Sequence, residues 1–172
     1  MYAFVKNAHS GLRWLMLAGV IFVVVNAARA MSSTRAYTPQ DAKLSLITMI
    51  VADVQLTLGL VLYTSLSPLI TQGILPNFGA AMKDRVLRFW AVEHITTMVL
   101  SIVVIHVVRI MVKKADNDAL RHKRTMYGFA LSLALVWAGM PWPWKPYGRP
   151  LMGGESPAPS ASVAPSAVPS AR

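Results

Sequence analysis

The side chains able to do chemistry in this chain are few, and most lie inside apolar runs. In order they are His9 and Arg13, then Asn26, Asp53, Gln55, Glu93, His94 and His106. An ionisable or amide group costs free energy in such surroundings, so its position is informative. His9 and Arg13 are four residues apart and share one helix face, as do His94 and Met98. Two neutral imidazoles on different helices of a bundle are what bis-histidine ligation of a b-type haem requires. An arginine one turn from a ligand matches a haem propionate with its planar fork. His9 and His94 are therefore expected as the metal ligands, with Arg13, Glu93 and Met98 completing a cofactor-binding group in which Glu93 orients a histidine or an arginine. The competing expectation uses the same residues without a cofactor. His9 and Arg13 then reach the headgroups, Glu93 pairs with Arg13 to join two helices, and Met98 is packing.

Asp53, Gln55 and His106 form a second expected polar site. His106 is twelve residues beyond His94, about 18 Å along a helix and about 120° around it, so the two do not share a face. A second haem would need His122, which sits in a basic connection and is expected to be solvated, so one haem is expected. Asp53 is expected at the depth of His106. The pair would relay a proton, or would lock two helices with help from Gln55 or Asn26.

The elements that position these residues follow from composition. Of 172 residues, 55% are apolar and 14% charged, the net charge is +10, and cysteine is absent. That excludes a water-soluble enzyme, disulfides, thiolate-ligated haem, iron–sulfur clusters and covalent haem attachment. The basic residues lie between long apolar runs, so nucleic acid is not the expected partner and a lipid bilayer is. Runs at 12–30, 44–66, 89–112 and 126–140 are each long enough, with their flanks, to cross a hydrocarbon core of about 30 Å. The fourth is the shortest and continues into Pro141-Trp142-Pro143-Trp144, which suits a helix exit at an interface.

The expected fold is all-α, an integral membrane four-helix bundle over 1–152 with helices at about 9–30, 44–66, 88–113 and 124–140. A Ser/Ala/Pro-rich tail at 153–172 has nothing large to bury and is expected to be disordered. The first run also fits a secretory signal, with Lys6 before it and Ala28-Arg29-Ala30 as a cleavage site, although Arg13 lies late for such a signal. Arg29, Arg35 and Lys43 lie in the first connection, and Arg109, Lys113, Lys114, Arg121, Lys123 and Arg124 in the third. Their density predicts that side as cytoplasmic, with both termini outside a bacterial inner membrane. Tyr2, Phe4, Trp14, Tyr63, Phe89, Trp90, Trp142, Trp144 and Tyr147 then gather at the outer boundary.

The strings His-Ser-Gly-Leu-Arg-Trp at 9–14, Gln-Leu-Thr-Leu-Gly at 55–59, Glu-His-Ile-Thr-Thr-Met at 93–98 and Pro-Trp-Pro at 141–143 carry a resemblance over about residues 8–150. The chain resembles a family of small bacterial four-helix membrane proteins often labelled cytochrome b-like or uncharacterised. That resemblance implies a b-type haem or a related redox role, with His9 and His94 at its motif positions and Arg13, Gln55 and Glu93 beside them. The chain lacks the two histidines on each of two helices found in dihaem membrane cytochromes. A single outer haem would exchange electrons with outer-side or quinone partners. Two other functions use the same residues: a non-redox accessory subunit of a respiratory or other membrane complex, and a small quinone-binding or proton-coupled transport protein using Asp53 and His106. No nucleophile–base set, P-loop or dinucleotide fingerprint is present, so catalysis by this chain alone is not expected.

Overall fold

The structure, a computed structural model, describes residues 1–151. The expectation for the tail at 153–172 lies outside the described residues. Among the described residues the regular elements are all helices, with α1 (Tyr2–Ser32), α2 (Pro39–Val61), α3 (Phe78–Lys83), α4 (Arg85–Arg88), α5 (His94–Lys113) and α6 (Asp118–Gly139). Three helices start earlier than expected, and capping explains two of them. The Asn117 side chain accepts from the Leu120 amide at 2.8 Å, so α6 begins at Asp118 and carries its basic residues on a helix rather than in a loop. α2 begins with Pro39 in its first turn and a capping box, in which Thr38 and Asp41 satisfy each other's amides at 3.3 and 2.8 Å. α1 starts at Tyr2, one turn and more before residue 9.

α1 packs against α2 and α6, and α6 against α5, while α5 meets α2 along a thinner seam. α1 and α5 therefore face each other diagonally across a ring of four long helices. Small residues let these helices approach closely. The space a Cβ would need at Gly128 is filled by Val108, and that at Gly139 by Thr97 and Met98. Ser101 and Ser132, both buried, hydrogen-bond across α5 and α6 at 2.7 Å. Such close approach and polar contact hold helices together where lipid removes the hydrophobic drive between them.

Three segments are long and apolar enough to cross a membrane: Tyr2–Ser32, Pro39–Leu66 and Arg85–Lys113, with mean hydropathies of 1.9, 1.9 and 2.3. Only 33%, 22% and 28% of their most apolar windows are buried, so most of their apolar surface points outward, as lipid contact demands. Three of the four expected spans meet this measure of length and composition. α6 lies in the ring but opens with Arg121, Lys123 and Arg124, which lower its apolar content.

The second connection, expected as a loop, is a folded helical cap. After α2 the chain continues as π-helical turns at Leu62–Leu66 and Leu69–Ile74, passes through α3 and α4, and enters α5 through another π turn at Phe89–Glu93. Ile70, Ile74, Ala81 and Ala91 form a small core of their own there, beneath Tyr63, Met82 and Trp90. The segment after α6 folds back over the same end. Tyr147 stacks on Phe89 with ring centres 3.6 Å apart, and Arg149 lies 4.7 Å from the centre of the Trp90 ring. The backbone oxygen of Leu151 accepts from Arg13 Nη2 at 2.8 Å and Trp14 Nε1 at 2.9 Å. This capped end is called the upper end below, and the opposite one the lower end.

Candidate functional site

His9 and His94 line one cavity near the upper end, with a volume of about 170 Å³. That is more than ten times the roughly 15 Å³ that one water needs, so the cavity has room for a group much larger than a single water. Each imidazole is held by a backbone carbonyl of a neighbouring helix. His94 Nδ1 lies 2.7 Å from the oxygen of Gly139, and His9 Nδ1 lies 3.2 Å from the oxygen of Gln55. A carbonyl only accepts, so in both rings Nδ1 carries the proton and Nε2 keeps the lone pair. Donation of Nδ1–H to a carbonyl is what fixes a metal-binding histidine in its ligating tautomer.

Local structure explains both contacts. Gly139 is the last residue of α6, where the final carbonyls have no intrahelical donor. The next residue after Met140 is Pro141, which has no N–H to offer. His94 supplies the missing bond. On the other side, Gly59 lies one turn beyond Gln55, and a Cβ there would come within 3.0 Å of His9 Cε1, so glycine leaves room for the ring. The Gln55 amide nitrogen donates to the His9 backbone oxygen at 3.0 Å and lies 3.4 Å from His9 Nε2, a loose contact that leaves this lone pair nearly free.

Two polar atoms of the lining are buried and unpartnered: Arg13 Nε and Gln55 Oε1. One is a donor and the other an acceptor, and each costs free energy until a ligand or water meets it. Arg13 also rests on the Trp14 ring at 5.2 Å. Met98 lines the cavity, and Trp90 packs beside His94 with ring centres 5.5 Å apart. The lining thus offers two histidine Nε2 lone pairs, an inward Arg13 donor and a mostly apolar wall, a donor set of the kind a b-type haem uses. Among the described residues no group of three or more His, Cys, Asp or Glu side chains could hold a metal ion, so a site built on carboxylates and histidines together is not formed.

Other expected site residues lie elsewhere. Glu93 does not reach His94 or Arg13. It pairs with Arg88 at 2.9 Å on the surface, because adjacent helical residues point about 100° apart. Gln55 does not join Asp53, for the same reason: two residues along a helix turn the side chain by about 200°. Asp53 meets His106 alone, at 2.9 Å, in a half-exposed pair on the outside of the α2–α5 seam. Asn26 serves neither group and donates to Asp41 Oδ1 at 2.7 Å, beside the two Arg35 bonds to the same carboxylate. His122, expected in solvent, is 1% exposed and packs on Tyr37 with ring centres 5.1 Å apart. The early start of α6 turns it inward.

Reading the sequence missed Gly139, whose contribution is a carbonyl that no side-chain pattern signals. Gly59 was within sight, since it closes the Gln-Leu-Thr-Leu-Gly string. Compared with known proteins, the chain matches no family model, no curated protein and no solved structure.

Proposed function

We propose that the protein is an integral membrane protein that binds one b-type haem between His9 and His94 and passes electrons, with both termini outside the inner membrane. The observation that carries this reading is the shared geometry of the two histidines. From opposite corners of the bundle, both give Nδ1–H to a neighbouring helix's carbonyl and line the same cavity. A bound b-type haem supplies reversible one-electron chemistry. His9 and His94 would hold it through Nε2, with the Gln55 and Gly139 carbonyls orienting both rings, and Arg13 would meet its carboxylate groups. Met98 and Trp90 keep water from the edge. A quinone or a respiratory complex would be the electron partner.

The test is a reduced-minus-oxidised absorption spectrum of the full chain in detergent, expressed with haem supplied, together with His9→Ala and His94→Ala. A b-type α band in the wild type that disappears in both variants is the expected result. A helical but colourless wild type overturns the reading and moves weight to an accessory subunit, whose partner would then copurify.

A further inference from the structure

A second cavity, of about 200 Å³, lies at the lower end between α2, α5 and α6. Arg109, Lys113 and Arg121 line it together with the hydroxyl-bearing Tyr37, Ser45 and Thr125, and no carboxylate does. Arg109 is the informative residue. Its Nη1 donates to Ser45 Oγ at 2.6 Å and to the Ala42 oxygen at 3.2 Å, both neutral. Among the described residues it pairs with no carboxylate. Arg121 is held only by exposed Asp118 at 3.2 Å and by the Tyr37 ring, 6.0 Å away. Among the described residues Lys113 forms no ion pair. Of the acids nearby, Asp118 pairs with Arg121 and Asp41 is already engaged by Arg35, Asn26 and Thr38.

Arg109 lies four residues before the end of α5, about 6 Å in from the helix terminus, at the depth where headgroups meet hydrocarbon. A part-buried guanidinium there without a counter-charge is costly. An anion with several oxygens removes that cost, because it meets the arginine fork while the Tyr37 phenol reaches another of its oxygens. Burial pushes the Tyr37 phenol above its ordinary range, so it stays protonated and able to donate. Basic pockets between membrane helices at one face are sites of this kind.

We propose that this lower cavity binds a phosphate group through Arg109, Lys113 and Arg121, with the Tyr37 phenol donating to a further oxygen. Two sources carry that group, an anionic lipid headgroup and free phosphate, and one experiment distinguishes them. The full chain in uncharged detergent is titrated calorimetrically with short-chain phosphatidylglycerol, with short-chain phosphatidylcholine and with inorganic phosphate. Arg109→Gln and Lys113→Gln are compared with Lys123→Gln, which removes the same charge from an exposed position outside the cavity. Saturable binding weakened about tenfold by Arg109→Gln or Lys113→Gln, and less than about twofold by Lys123→Gln, is expected from the loss of a charge-assisted bond. If phosphatidylglycerol alone saturates, the source is the headgroup; if inorganic phosphate also saturates, it is free phosphate. Should Arg109→Gln lose its helical circular dichroism, Lys113→Gln, an exposed rim variant, decides. No saturable binding of any probe, or equal weakening by all three variants, overturns the proposal.

Discussion

A carbonyl oxygen can only accept a hydrogen bond, so the contacts of His9 and His94 with Gln55 and Gly139 decide which ring nitrogens remain available. Removing the Gln55 side chain leaves its carbonyl in place and tests this division of labour. Gln55→Leu should keep the haem band while lowering stability by about 1 kcal/mol, through loss of the amide bond to the His9 oxygen. Loss of the band in that variant would show that the side chain, and not the carbonyl, holds the ring. The Asp53–His106 pair belongs to a different energetic class. Both side chains are 39–46% exposed on the outside of the bundle, so the pair is a weak tie between α2 and α5. A double-mutant cycle with Asp53→Asn and His106→Gln should give a coupling of about 0.6 kcal/mol, and no more than about 1.7. A larger coupling would mean that the pair is buried in the membrane by something more than these two helices.

Among the elements, α5 and α6 are joined most intimately, and their spacing depends on residues with almost no side chain. At Gly128 an added Cβ would collide with the branched and therefore stiff Val108 side chain. Gly128→Ala should cost about 1–3 kcal/mol, read as a lower melting midpoint in detergent. Gly79→Ala is the matched control, since nothing lies within 4 Å of the added methyl group. Equal midpoints for the two variants would contradict this account of the crossing. The π turn before α5 is a second device at this scale. It adds one residue to a turn and so offsets its two sides by about 100°, which buries Phe89 and Ala91 in the cap while His94 enters the main cavity. Hydrophobic periodicity carries no sign of such a turn.

For the molecule as a whole, the ring of four long helices puts the two connecting loops beside Ser33 and Asp116 at one end and the folded cap with Gly79 at the other. Because the chain has no cysteine, single substitutions report sidedness directly. Gly79→Cys should react with an impermeant maleimide from the outer face of intact spheroplasts, and Ser33→Cys and Asp116→Cys only after the membrane is opened. Labelling of Gly79→Cys and Asp116→Cys from one side would refute the proposed orientation. The sequence by itself determined the helical class, the apolar runs and which residues bear chemistry, because transfer from water depends on side-chain type and run length alone. It also determined that His94 and His106 point apart, since that needs only the helical repeat. Tertiary structure decided the partners. Whether Glu93 meets Arg13 or Arg88, whether Gln55 sides with Asp53 or His9, and whether His122 is wet or buried all depend on the rotation of each helix about its axis. Side-chain packing, the early cap at Asn117 and the glycine contacts set that rotation, and none of these can be read from the order of residues along one helix.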